Sequence, residues 1–326
     1  MVNEVLRLLK STEGYLSGEE MSKELGVTRA SIWKAINKLK EQGYAIESST
    51  RKGYRIKKIP DILTQSEILE ELNTQIIGRT IINYEELGST NDEAKHLARK
   101  GAAEGTLIIS EKQNSGKGRL GKTWSAPAGT GIWMSLVLRP PILPIQASTL
   151  TLIAGLSVCE AVERETGLES KIKWPNDVVI NGKKICGILT EMSAELEQVK
   201  YIVLGIGINV NTESLPEDLT HATSLYLEGK KKYLRKNILK QVLEQFERDY
   251  DIYLKSPSLK CFLERYEKKC ITLNKQVKVL TPTENYTAYA KAITEDGSLK
   301  VVTEEGEEKV VFAGEVSVRG IYGYTD

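Results

Sequence analysis

Residues 113–124 read Gln-Asn-Ser-Gly-Lys-Gly-Arg-Leu-Gly-Lys-Thr-Trp, so Gly116, Gly118 and Gly121 are interleaved with Lys117, Arg119 and Lys122, and the run closes on Trp124. Glycines let a backbone adopt positive φ and come close to a ligand, and successive free N–H groups make a concave anion nest. The three cations add charge suited to phosphate or to a pyrophosphate leaving group. The spacing is neither that of the Walker loop, which needs Gly-Lys-Ser/Thr after a four-residue gap, nor that of the dinucleotide fingerprint. The alternative for such a run taken alone is a solvated basic loop.

Some fifty residues on stands Lys173-Trp174-Pro175-Asn176-Asp177, then a polar turn, Asn181-Gly182-Lys183-Lys184, and an apolar run, Ile185-Cys186-Gly187-Ile188-Leu189. With Gly88-Ser89-Thr90-Asn91 before them and Gly205-Ile206-Gly207-Ile208-Asn209-Val210-Asn211 after, these segments resemble the biotin–protein ligase family, four motifs in the family's order. The resemblance implies catalytic roles for Lys184 and Arg119. It implies that Ser89, Thr90, Asn91, Gln113, Gly116, Lys117, Gly118, Arg119, Trp124, Lys184, Gly187 and Gly205 bind biotin. Trp124 would cover its ring system, and the glycines would shape the pocket by close backbone approach. Arg119, Lys122, Trp124, Asn176, Asp177, Lys184, Gly207 and Asn209 would bind the nucleotide, with Asn176, Asp177 and Asn209 serving the nucleotide or its metal. Biotin, ATP and Mg2+ are thus the implied small molecules, and no residue is assigned to a resident metal. Lysines at 117 and 122 replace the family's arginines, which keeps charge and loses the bidentate fork. Adjacent Lys183 and Lys184 point oppositely on a strand, and the family spacing before Gly187 selects Lys184. Bland readings stay open for Trp174 and Pro175 as sheet braces, and for Asp177 as a turn cap.

A carboxylate substrate is already ionised at neutral pH, so it can attack the α-phosphorus of ATP without a general base. The site must position two anions and neutralise charge on the transferring group and the leaving pyrophosphate. This suits a chain whose only histidines are His96 and His221. Cys159, Cys186, Cys261 and Cys270 have no paired metal spacing, so reduced, structural thiols are expected. The resemblance implies an ATP-dependent ligase that makes biotinyl-5′-adenylate and passes biotin to a lysine of a carboxylase carrier domain. It further implies a repressor of the biotin operon that dimerises when adenylate-bound. The alternatives are a lipoate ligase or octanoyl transferase on the same core, or a ligand-sensing repressor without ligase activity.

At 326 residues, 40% of them hydrophobic and 27% charged, the chain predicts a soluble protein of two or three domains. The net charge of +1 conceals an asymmetry, because residues 1–58 hold twelve Lys and Arg against seven Glu. A polyanionic partner is expected at that end. With no basic-then-apolar leader and no run of eighteen apolar residues, a cytosolic protein without membrane association is expected.

The elements that carry these residues follow from pattern. Over 18–56 the chain reads as a winged helix-turn-helix. A short amphipathic helix is followed by a Gly26-Val27 turn, and Thr28 caps a second helix with Ile32, Ala35, Ile36 and Leu39 on its inner face. Thr28, Arg29, Ser31, Lys34, Asn37 and Lys38 on the outer face, with Arg51 and Lys52 at the hairpin tip, are the residues expected to meet operator DNA. Trp33 is expected to pack beneath the helix. The composition changes near Pro60, so the expected domains are a DNA-binding module over 1–60, a ligase domain over 61–270 and a small domain over 271–326. Overall the fold is expected to be α+β. Strands are expected at 81–84, 106–110, 132–138, 178–180, 185–191 and 201–210, with helices over 89–99, 147–166 and 232–270. The last segment predicts five short strands, resembling the family's SH3-like barrel and closing at 314–317.

Overall fold

The computed structural model describes residues 1–326 apart from Glu71, Asp218, Pro282, Thr283, residues 314–316, Ile321, Tyr322, Asp326 and the side chain of Ser317. The chain forms two compact units, Met1–Ile62 and Leu63–Asp326.

In the first unit α1 (Val2–Ser11), α2 (Gly18–Leu25) and α3 (Arg29–Glu41) precede a hairpin of β1 (Ala45–Ser49) and β2 (Gly53–Lys58). Sequence patterning located everything but α1, which buries Val5, Leu6, Leu8 and Leu9 against the other two helices. The helix-turn-helix is fixed by local chemistry. Ser17 and Glu20 form a reciprocal capping box at the start of α2, Gly26 leaves that helix at φ 64, and Thr28 caps α3 by accepting the Ser31 amide. Ile32, Ala35, Ile36 and Leu39 are buried. Trp33 departs from expectation, being 57% exposed. One residue on from Ile32 it is turned about 100° around the helix, and the inner stripe is already filled by the four residues at helical spacing.

The second unit is built on an eight-stranded sheet among the described residues. After the short α4 (Gln65–Leu69) come β3 (Ile81–Leu87), α5 (Thr90–Arg99), β4 (Thr106–Lys117), β5 (Thr123–Ala126), β6 (Gly131–Leu138) and α6 (Ala147–Thr166). Then follow β7 (Lys171–Lys173), β8 (Asp177–Ile180), β9 (Lys183–Ala194) and β10 (Val199–Asn209). Spatial order is β3-β4-β6-β10-β9-β8-β7, with β5 paired to β4; β3 runs parallel to β4 and the other pairs are antiparallel. Strand alternation separates two faces. Ile202, Leu204, Ile206 and Ile208 of β10 join the main core with α6, whereas Val203 joins Ala94 and Ala98 of α5 and Val137 of β6. Pro144–Thr166 is apolar and long enough to cross a membrane, yet most of it is buried inside this unit.

Beyond α7 (Leu225–Gly229) the expected helix over 232–270 is two, α8 (Arg235–Lys255) and α9 (Leu263–Lys269). Pro257 lies in the interruption, where its missing N–H and fixed φ disfavour a continuous helix. The five C-terminal strands are β11 (Lys275–Leu280), β12 (Asn285–Ile293), β13 (Leu299–Thr303), β14 (Glu308–Val311) and β15 (Ser317–Gly320), in the order β14-β13-β12-β11-β15. They make an open sheet where a barrel was expected, since among the described residues β14 and β15 are its two unpaired edges. The inner face is covered instead by the ligase core, which Val277, Val279, Ala288, Val301 and Val318 join. The expected closing residues 314–316 lie outside the described residues. Trp174 fastens this sheet to the larger one: it is fully buried, and its amide and indole N–H donate to Thr272 Oγ1 and the Gly297 carbonyl, both at 3.0 Å.

Candidate active site

The α5 face of the large sheet carries a floor without side chains. Gly205 and Gly207 on β10 alternate with core residues, and Gly207 lies directly opposite Gly187 of β9. A methyl at Gly207 would stand 2.7 Å from the Trp124 ring, one at Gly187 2.8 Å from the same ring, and one at Gly205 2.1 Å from Asn91 Oδ1. Only glycine admits the indole and the amide so close to the strands. Gly116 on β4 serves the loop, because its Cβ would meet the Trp124 carbonyl oxygen at 2.5 Å.

Around this floor the N-terminus of α5 and the end of β4 interlock. Gln113 Oε1 accepts from the Thr90 amide at 2.7 Å and the Thr90 hydroxyl at 3.1 Å. The Ser135 hydroxyl bridges Thr90 Oγ1 and Asn91 Oδ1, while Asn91 Nδ2 donates to Glu191 at 2.8 Å. Ser89 is buried at the helix start with no capping bond from its side chain. Lys117 pairs with Asp92 of α5 at 2.7 Å. The cavity enclosed by these residues with Gly118, Arg119 and Lys184 is about 50 Å³, against ~300 Å³ upward for a typical small-molecule pocket. Trp124, lying on the glycine floor, takes up the difference.

A larger cavity of about 720 Å³ adjoins it, lined by the 118–125 loop, by 173–177, and by Lys184, Asn209, His221, Arg319 and Tyr324. Arg119 donates from Nη1 to Asn176 Oδ1 at 2.8 Å and from Nη2 to the Ala313 carbonyl at 2.6 Å, which ties the loop to the motif and to the C-terminal sheet. Lys184 Nζ meets Asp177 Oδ1 at 2.5 Å and stands 5.2 Å from the centre of the Trp124 ring. Asp177 begins β8 as an ion-pair partner and not as a turn cap. Burial opposes its ionisation, but Lys184 and Lys173 with hydrogen bonds from Lys184 and Tyr324 outweigh it and hold the carboxyl below the usual range. Lys173 is buried, which pushes its ammonium down to about 8. It donates to the Val318 carbonyl at 2.8 Å. Asn209 donates to the Thr223 carbonyl at 3.0 Å, and exposed Lys122 lies on the rim. Burial raises the Cys186 thiol, so it is a packed residue beside the site and no nucleophile.

The two cavities are lined by every ligase-site residue that the motifs nominated except Gly116, which packs under Trp124, and the lining also includes charged and aromatic residues that were not nominated. Lys173, His221, Arg319 and Tyr324 were missed as site residues. Lys173 belonged to a motif read for its later members. The others come from separate segments, and no local pattern announces them.

In the first unit Thr28, Arg29, Lys34, Lys38, Arg51 and Lys52 are exposed, and Ser31 and Asn37 are half-buried. Arg29 is paired with Glu19. On the hairpin Glu47 takes Arg55 at 2.9 Å and Lys57 at 3.0 Å, and hydrogen bonds from Arg55, Tyr15 and Lys57 hold its carboxyl at about 2. The tip cations, Arg51 and Lys52, have no such acid beside them among the ion pairs of the described residues.

A glycine floor, a Gly/Arg loop and a Lys–Asp pair at a nucleotide-sized cavity define an adenylate-forming ligase domain, here on one chain with a winged helix-turn-helix. Comparison with known proteins bears this out. The sequence profile of the biotin/lipoate A/B protein ligase family matches residues 85–209, a helix-turn-helix domain matches 2–55, and the biotin protein ligase C-terminal domain matches 272–319. The bifunctional ligase/repressor BirA of Bacillus subtilis is 39% identical over 306 residues, covering 92% of this chain and 93% of that protein. The Escherichia coli protein of the same name is 28% identical over 97% of this chain and 96% of its own. The structure of biotin protein ligase from Aquifex aeolicus in complex with biotin and ATP superposes with a TM-score of 0.66 at 33% identity, covering 74% of this chain and 99% of that one. The chain belongs to the biotin–protein ligase family.

Proposed function

We propose that this chain is a bifunctional biotin–protein ligase and biotin-responsive repressor. The observation that carries the reading is the convergence of Arg119, Lys184 and Lys173 on a cavity whose wall holds one carboxylate among the described residues, Asp177, next to a floor of glycines. Biotin takes the floor formed by Gly187, Gly205 and Gly207, beside the α5 N-terminus and Gln113, and the Trp124 ring moves off that floor to cover it. ATP takes the larger cavity with its α-phosphate toward Arg119 and Lys184. The biotin carboxylate attacks the α-phosphorus, pyrophosphate leaves, and the two cations neutralise the charge that develops. A carrier-domain lysine then attacks the carbonyl of the mixed anhydride and AMP departs. Magnesium enters as part of the MgATP substrate, since the phosphates supply most of its ligands. Among the described residues, no group of three or more His, Cys, Asp and Glu gathers to hold a metal.

The adenylate-bound form pairs through the central sheet, so that two N-terminal modules engage a palindromic operator in the cytoplasm. The lipoate and octanoyl alternatives share the core, but the relative of solved structure at 33% identity over 74% of the chain is a biotin enzyme by name, in complex with biotin and ATP. Mass spectrometry of the protein after incubation with biotin and MgATP should show retained biotinyl-adenylate together with released pyrophosphate. Neither product with biotin, or both with lipoate in its place, would sink the reading.

A further inference from the structure

Asp177 holds the cation most directly charged with phosphate chemistry, so what holds Asp177 matters. Its Oδ1 is taken by Lys184 at 2.5 Å and by Asn176 Nδ2 at 3.1 Å. Its Oδ2 accepts from the hydroxyl of Tyr324, 147 residues away in sequence. The Tyr324 ring has two contacts of its own. Lys173 Nζ lies 4.3 Å from its centroid, and the His221 ring packs against it at 4.7 Å with an interplanar angle of 35°. The next residue is anchored too: Thr325 donates to the Gly182 carbonyl at 3.4 Å in the β8–β9 turn, and its own carbonyl accepts from Lys275 at 3.3 Å. Tyr324 thus reaches the cavity from a strapped tail, with its hydroxyl on a buried carboxylate and its ring against two other cavity residues.

We propose that Tyr324 is a positioning residue of the ligase reaction, holding the Asp177 carboxylate so that Oδ1 keeps Lys184 aimed at the α-phosphate. Without the hydroxyl, Oδ2 is left buried and under-satisfied, Asp177 rotates toward the remaining cation Lys173, and Lys184 loses its fixed partner. Phenylalanine at 324 keeps the ring contacts with Lys173 and His221, so the substitution isolates the hydroxyl.

The inference rests on the ligase reading, which wild-type pyrophosphate exchange tests by itself. In the same assay Tyr324→Phe should lower kcat by roughly ten-fold or more, the scale of a hydrogen bond to a charged group. Any change in the KM for biotin should be small beside the fall in kcat, because Tyr324 lines the larger cavity and not the smaller one over the glycine floor. Asp177→Asn should lower kcat as well, and adding Tyr324→Phe to it should cost nothing further, since both act through one contact. Wild-type kcat in Tyr324→Phe would overturn the proposal. So would additive losses in the double variant, or tighter ATP binding with undiminished kcat, which would make the tail an obstruction in the nucleotide seat.

Discussion

At the scale of single residues the site is an exercise in spending positive charge where negative charge will appear. Lys184 is paired with Asp177 in a largely buried setting, so its charge is oriented and screened little by water. Replacing Lys184 by alanine should reduce pyrophosphate release by ~10²–10³-fold, the cost of one preorganised contact to a developing charge. The thermal midpoint should stay near wild type, because Asp177 retains Lys173 and Tyr324 as partners. Undiminished pyrophosphate release would take Lys184 out of the mechanism. Arg119 works differently: with its bonds to Asn176 and Ala313 it pins the glycine-rich loop over the cavity. Arg119→Gly should therefore release adenylate faster instead of preventing its synthesis. Bystander proteins would become biotinylated at their lysines, whereas an unchanged off-rate and strict carrier specificity would contradict this account of the loop.

At the scale of elements the sheet does two jobs with one alternation. Along β10 the residues facing α6 are Ile202, Leu204, Ile206 and Ile208, and those facing α5 include Val203, then Gly205 and Gly207, so the same strand builds the core and clears the pocket. A methyl added at Gly205 would meet Asn91 Oδ1 at 2.1 Å and push it off Ser135. Gly205→Ala should weaken biotin binding by tens-fold at a stability cost of about 1–3 kcal/mol, typical of overpacking. Titration calorimetry with biotin and denaturant unfolding would check both. A variant that binds biotin like wild type would mean that Asn91 yields freely and that the floor is roomier than its backbone indicates.

At the scale of the whole molecule the two compact units make separate experiments possible. Deleting residues 1–62 should abolish operator binding and leave adenylate synthesis largely intact, since every residue at the ligase cavities belongs to the second unit. Reversing charge at Arg51 and Lys52 should weaken binding to all DNA sequences alike and reduce the salt slope by about 2, roughly one per lost phosphate contact. Arg55 and Lys57 are already engaged by Glu47, so reversing those two should matter less. A gel-shift titration over several salt concentrations with wild-type affinity and slope in the tip variant would remove the hairpin from the DNA interface.

What the sequence determined by itself is what lies close together along the chain. A glycine-cation loop, a capped helix after a Gly turn, and alternating strands are set by φ, hydrogen-bond geometry and periodicity within a dozen residues. Hence the cationic glycine loop over Gly116 and Arg119 and the inner face of α3 could be named from pattern before any coordinates, while Asp177 and Lys184 were named from the motifs' resemblance to a family. The tertiary structure alone decided which distant segments meet. Tyr324 reaches Asp177 across 147 positions and Arg119 reaches the Ala313 carbonyl across 194, and no local propensity encodes either approach. It also decided matters of competition for burial. Trp33 stayed outside because other residues filled the inner stripe, and the C-terminal strands make an open sheet among the described residues, their apolar residues joining one core with the ligase domain. Packing choices of this kind depend on the summed area of surfaces contributed by many segments, and no single stretch of sequence contains that sum.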